Sequence, residues 1–210
     1  MTIAAQVPVV REALGVSSSY DAVTIPAGIR RAIAFMLRTW SFPQALITTN
    51  FPIANGASQI ALPVTGVGKI RAVRLKDSTG TLYKRLRRTL LGELPHSQGP
   101  LFYWQEANIL KLDTPINGAG YSIDVWYNST DVDAADPWIT SDFEDVTFTL
   151  STMRLASELR KPEVQATFAA SWQEMVPTLA QYLNEVEFND LDIRLKPDVD
   201  MTNPATRYGT

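Results

Sequence analysis

Ile70-Arg71-Ala72-Val73-Arg74-Leu75-Lys76-Asp77-Ser78-Thr79-Gly80-Thr81-Leu82-Tyr83-Lys84-Arg85-Leu86 is the stretch that decides the fold class. Segments 70–75 and 81–86 carry strand-type residues on either side of Ser78-Thr79-Gly80, whose small polar side chains and glycine favour a turn. The reading is an antiparallel hairpin. Cations alternate with apolar residues along it: Arg71 falls on one face, Arg74 and Lys76 on the other, and Lys84 and Arg85 divide likewise.

The period of two extends outward from this hairpin. Further strand candidates are 46–51, 59–62, 101–104, 109–112 and 121–127. Asn55-Gly56, Gly66-Val67-Gly68 and Asn117-Gly118 separate some of them. Phe102-Tyr103-Trp104 and Val125-Trp126-Tyr127 show the aromatic and β-branched enrichment of strands. Short strands at this spacing indicate an antiparallel β-sandwich or a small barrel over residues 45–128.

Helical periods flank the strands. Segment 3–14 has helical composition, interrupted by Pro8 and ended by Gly15 and Ser17-Ser18-Ser19. Pro26 suits a first turn, and Ile29, Ile33, Phe35, Met36 and Trp40 then recur at helical spacing until Pro43. Residues 129–138, rich in aspartate, read as a linker. Ser141 and Glu144 form a capping box for a helix with Phe143, Val146, Leu150, Met153 and Leu159 on one side. After Lys161-Pro162, a long amphipathic pattern runs through Val164, Phe168, Trp172, Met175, Leu179, Tyr182 and Val186. Pro177 inside it predicts a kink or break near residue 173. Residues 189–210 read as an extended arm that orders only on assembly, with Leu191, Ile193, Leu195, Pro197 and Tyr208 as docking residues. The expected fold class is therefore α+β. Residues 1–44 and 139–188 form a helical bundle, 45–128 an inserted strand-rich domain, 129–138 a linker and 189–210 an arm.

Composition removes several function classes. The 210 residues are 45% hydrophobic, enough for a packed core rather than a disordered chain. There is no cysteine, hence no disulfide and no thiolate chemistry. The N-terminal residues lack a signal-peptide pattern, and no apolar run is long enough to span a membrane. Asn128-Ser129-Thr130 matches a glycosylation sequon but reads as a turn. The lone histidine, His96, has no nucleophile elbow to accompany it and reads as a surface loop residue. Gly66-Val67-Gly68-Lys69 lacks the endings of phosphate-binding loops. Three acidic groups, Asp131/Asp133/Asp136, Asp142/Glu144/Asp145 and Glu185/Glu187/Asp190/Asp192, each have a structural explanation. No catalytic residue, cofactor site or metal site is expected.

One charge feature stands out against a net charge of −3. Lys69, Arg71, Arg74, Lys76, Lys84, Arg85, Arg87 and Arg88 are eight of the nineteen basic residues, and Asp77 is the only acid among them. The plain reading is a sheet edge guarded by charge. The functional reading is a patch that meets phosphates or an acidic partner surface, without reading bases. The pairs Tyr103-Trp104 and Trp126-Tyr127 each split between core and surface, because neighbouring strand residues face opposite ways.

In its order of parts the chain resembles the head-to-tail adaptors of podoviruses, which include tubular tail proteins and tail accessory factors. The resemblance spans about residues 20–195. It is carried by Ile29-Arg30-Arg31-Ala32-Ile33 leading to Arg38-Thr39-Trp40-Ser41-Phe42; by segment 60–75; by Leu101-Phe102-Tyr103-Trp104 with Ile109-Leu110-Lys111-Leu112; by Val125-Trp126-Tyr127-Asn128; and by the closing helix and tail. The resemblance implies a virion structural protein at the head–tail junction, assembled in the host cytoplasm. It implies a homo-oligomeric ring, usually of twelve subunits, bound beneath the portal protein and above the tail nozzle or tail tube protein. The ring would surround the DNA channel, and the arm would dock on the portal or a neighbour. The large strand insertion departs from the compact members of that group. Two alternatives stand beside this reading: another phage tail or head-completion component, and a carbohydrate-binding or adhesin module using the aromatic strands.

Overall fold

The computed structural model describes residues 2–63, 66–88, 100 and 102–194; for 82, 83 and 185–194 it describes the backbone. The described residues form five α-helices: α1 (Ile3–Leu14), α2 (Thr24–Thr39), α3 (Val132–Asp142), α4 (Glu144–Glu158) and α5 (Pro162–Arg194). They also form seven strands: β1 (Leu46–Pro52), β2 (Gln59–Ala61), β3 (Val67–Lys76), β4 (Leu82–Arg88), β5 (Phe102–Glu106), β6 (Ile109–Leu112) and β7 (Ser122–Ser129). Every expected strand is present, with ends shifted by up to three residues.

The strands do not form two stacked sheets. They form one sheet in the order β1-β7-β3-β4-β5-β6-β2, curled into a half-barrel. Alternation reports which residues share a face, but not how many sheets the strands divide into, so a sandwich and a curled sheet look alike in sequence. Nor is the sheet wholly antiparallel, since β4 and β5 pair in parallel through Arg87–Phe102 and Arg88–Tyr103. The register of β3 slips against β7 between Val67 and Ile70 and between Ile70 and Ala72, and against β4 at Leu75–Lys76. Such irregularities sharpen the local twist and bend a sheet. One apolar core lies among the strands, including Val73, Leu75, Leu86, Leu110, Ile123 and Val125. A second core lies among the helices, including Val10, Ile29, Ile33, Met36, Ile139 and Leu155.

The helices depart from expectation at their ends. Residues 129–138 are not a linker. Asp131 caps α3, its carboxylate accepting from Asp133 N (3.0 Å) and Ala134 N (3.3 Å), so most of that segment is helix. The capping box at Ser141 and Glu144 is not used, because α3 already runs through Ser141 and Phe143 precedes α4 without a side-chain cap. Pro8 does not interrupt α1. The lost backbone bond is outweighed by burial of Val7, Val10 and Leu14 and by Asp136, whose carboxylate accepts from Ile3 N (2.8 Å). Pro177 does not break α5, which continues for 33 residues, about 50 Å; Leu179 and Leu183 just beyond it are buried in the helical core. Residues 189–194, expected in the arm, are helical, and 195–210 lie outside the described residues.

Helices α2 and α4 meet closely at Gly28. A β-carbon built there would stand 2.5 Å from the Leu155 side chain, which is fully buried and has nowhere to swing. Gly28→Ala would gain about 1 kcal/mol of helix propensity but overpack this contact by about 1–3 kcal/mol. The expected net result is a lower urea midpoint with an unchanged m-value; a raised midpoint would contradict the close contact.

Candidate functional site at the basic hairpin

The β3–β4 turn uses up its only acid. Asp77 Oδ1 accepts from Thr79 N (2.9 Å), Thr79 Oγ1 (2.6 Å) and Thr81 N (3.0 Å). The Thr79 hydroxyl, with the two backbone N–H groups, holds this carboxyl below its usual value. The carboxylate is thus committed to its own turn and does not offset the neighbouring cations at short range.

The cations themselves separate into two groups by strand. Those of β3 meet partners on β7. Arg71 Nε donates to Asn128 Oδ1 (2.7 Å), Arg74 lies over the Trp126 ring at 4.8 Å, and Lys76 pairs with Asp124 at 2.6 Å. Asp124, Trp126 and Asn128 are spaced by two along β7, so alternation aligns them as one series of partners. Asp124 is only 5% exposed and also accepts from Asn50 Nδ2 (2.7 Å). Lys69 is exposed near the start of β3.

The cations of β4 are placed differently. Lys84 is half-buried, whereas Arg85, Arg87 and Arg88 are exposed. These three arginines, with Arg71, Ala72, Leu86 and Tyr103, line a cavity of about 500 Å³. Tyr103 is 3% exposed. Burial raises its hydroxyl pKa, and the positive charges of Arg88 and Arg85 pull in the opposite direction without cancelling the rise. The phenol therefore keeps its proton at neutral pH and remains a hydrogen-bond donor. The described lining contains four arginines and no acidic residue.

Other expected residues have structural roles. Gly68, in the Gly66-Val67-Gly68-Lys69 run, lies within β3, where an added β-carbon would come 2.7 Å from Asn128 O. Its role is close strand approach. Trp104 is held at its edge by donation to Glu106 (2.9 Å), and Trp126 is covered by Arg74. Phe168, Trp172 and Tyr182 pair with Phe148, Trp40 and Phe143 respectively. Tyr182 is 49% exposed and, with Phe143, Val146, Met175 and Leu179, borders a second, more apolar groove of about 590 Å³. Of the expected arm residues, Leu191 and Ile193 lie within α5, while Leu195, Pro197 and Tyr208 lie outside the described residues, as does His96. Among the described residues no cluster of three His, Cys, Asp or Glu could hold a metal, and no helix is long and apolar enough to cross a membrane.

Comparison with known proteins matches residues 1–201 to the SU10 adaptor protein family. The chain belongs to that family. An adaptor family is also what the order of helices, strands and tail led one to expect. No curated protein sequence matches. Among solved structures, the chain is similar to one from the "Neck of empty GTA particle computed with C6 symmetry", at 16% identity over 73% of this chain and 77% of that one, with a TM-score of 0.29. That score is too low for the likeness to add to the family assignment.

The division of this adaptor's cations is testable by stability. Arg74→Ala removes a stacked, half-buried group and is expected to cost about 0.5–1 kcal/mol, with a change in tryptophan fluorescence. Arg87→Ala is expected to stay within about 0.5 kcal/mol of the parent. Equal losses in urea titrations would contradict the division.

Proposed function

We propose that this chain is a virion structural protein, a head-to-tail adaptor at the phage neck, with no enzymatic activity. In this reading it forms a homo-oligomeric ring, of twelve copies by family resemblance, below the portal protein. It connects the capsid vertex to the tail nozzle or tail tube protein. The observation that carries the reading is the family match over residues 1–201, which takes in the helices, the curled sheet and the helical C-terminal region together.

Physical features support assembly with neighbours. β1 has β7 on one side and, among the described residues, no strand on the other. Its seven residues, Leu46–Pro52, contain no charged side chain and pair with β7 without a register break. The opposite edge, β2, is only three residues long. Long uncharged edges invite pairing with another chain, and proteins that leave them open usually guard them with charge, bulges or proline; here proline comes only at the last position. We place a neighbouring subunit on this edge. The groove beside Tyr182 and the segment holding Leu195, Pro197 and Tyr208 are the surfaces assigned to the portal or a neighbour, and the basic hairpin is assigned to the channel side.

Native mass spectrometry of the chain with and without purified portal tests the proposal. The expected result is a ring-sized species that joins the portal. Ile47→Lys, at a 38% exposed position on the open edge, is expected to abolish the ring while leaving the circular dichroism spectrum unchanged. A chain that stays monomeric with portal present would overturn the adaptor reading.

A further inference from the structure

We infer that the cavity bordered by Arg71, Arg85, Arg87, Arg88 and Tyr103 binds backbone phosphates of double-stranded DNA. The inference rests on the adaptor reading, in which DNA passes through the ring, and gives that passage a named contact.

The first argument is charge. A chain of net charge −3 places eight of its nineteen cations within twenty residues. Three of those on β3 are matched by Asn128, Trp126 and Asp124 on β7, and Asp77 is committed to its turn. The three exposed arginines of β4 instead border a cavity whose described lining contains no carboxylate. Positive charges around one cavity repel one another, and an anion between them relieves that repulsion.

The second argument is donor chemistry. Every charged residue in the described lining is an arginine, whose guanidinium donates and never accepts. Tyr103 sits in register with Arg88 across the parallel β4–β5 pair and offers a protonated hydroxyl. An array made of donors fits an oxyanion. Arginine is suited to phosphate because its planar fork matches two phosphate oxygens at once.

Spacing separates DNA from an acidic protein surface. Arg85 and Arg87 are two residues apart on one strand, about 7 Å, comparable to neighbouring phosphates on a DNA strand. Duplex DNA presents one charge per about 1.7 Å of its axis, a regular density that an acidic protein face does not sustain. The hairpin carries no element that would read base edges, so the contact is independent of sequence and labile to salt. That is the kind of contact along which DNA can slide.

The test is fluorescence anisotropy of the full chain with a labelled duplex of about 30 base pairs, from about 50 to 200 mM salt. The parent should bind with a log–log salt slope of about −0.9 per phosphate contacted. Arg85→Gln/Arg87→Gln/Arg88→Gln should make the slope shallower by about 2–3 and weaken binding at least tenfold at low salt, and Arg87→Gln alone should remove about 1 from it. Arg31→Gln, an exposed site on α2, should leave the slope unchanged, and all variants should keep the parent's melting curve. A parent that does not bind duplex, or a triple variant with an unaltered slope, overturns the inference. So does polyglutamate binding as tightly as DNA with the same losses in the variants, which would assign the cavity to an acidic protein. Portal-bound rings are scored on the same samples. Rings with an unaltered DNA slope sink the cavity alone, whereas a changed slope without rings supports the cavity and sinks the adaptor reading alone.

Discussion

Asn128 is the side chain on which both parts of the molecule depend. It is 5% exposed and spans the junction between sheet and helices. Its amide oxygen accepts from Arg71 Nε at 2.7 Å, and its amide nitrogen donates to the Phe42 carbonyl at 3.3 Å, just after α2. A buried amide left without partners costs about 1–3 kcal/mol, so the position of β7 against the end of α2 is tightly specified. Two residues beyond, Thr130 N donates to Gly66 O (2.8 Å), and Asp131 then opens α3 as its cap. The chain thus passes from central strand to helix without slack. Gly68 completes the joint, because only a residue without a β-carbon lets β3 approach the Asn128 carbonyl so closely.

The same strand arranges the surface chemistry. Hydrogen-bonded to both β1 and β3, β7 turns Asp124, Trp126 and Asn128 toward the cations of β3. β4 lies one strand further out, beyond the reach of that series. A basic hairpin that looks uniform in sequence is therefore two surfaces in the fold. One is a set of structural pairs across β3 and β7. The other is a donor-lined cavity where β4 meets β5.

Much of this was legible before any coordinates. All seven strands followed from alternation and turn chemistry; β2 and β6, for instance, bury every second residue. The eight cations were legible as a cluster, and so was the adaptor resemblance. What could not be read depended on partners distant in sequence. Arg71 and Asn128 are 57 residues apart, and nothing near either predicts the pairing. The parallel β4–β5 contact is likewise a matter of topology rather than pattern. The missed helix α3 is a different failure. Its aspartates suggest an acidic linker, yet Asp131 is a cap, Asp136 holds the start of α1, and Ala134-Ala135 favour helix. Pro8 and Pro177 predict an interruption and a kink or break, but burial of the residues around them outweighs one missing backbone bond.

The proposed ring turns this arginine-bordered cavity toward DNA while the uncharged β1 edge meets a neighbour. An electron cryomicroscopy map of the chain bound to portal tests it most directly. The account predicts a closed ring against the portal, with Arg85, Arg87 and Arg88 facing the central axis and β1 covered by the adjacent subunit. A ring that turns those arginines to its outer rim and leaves β1 open would contradict it.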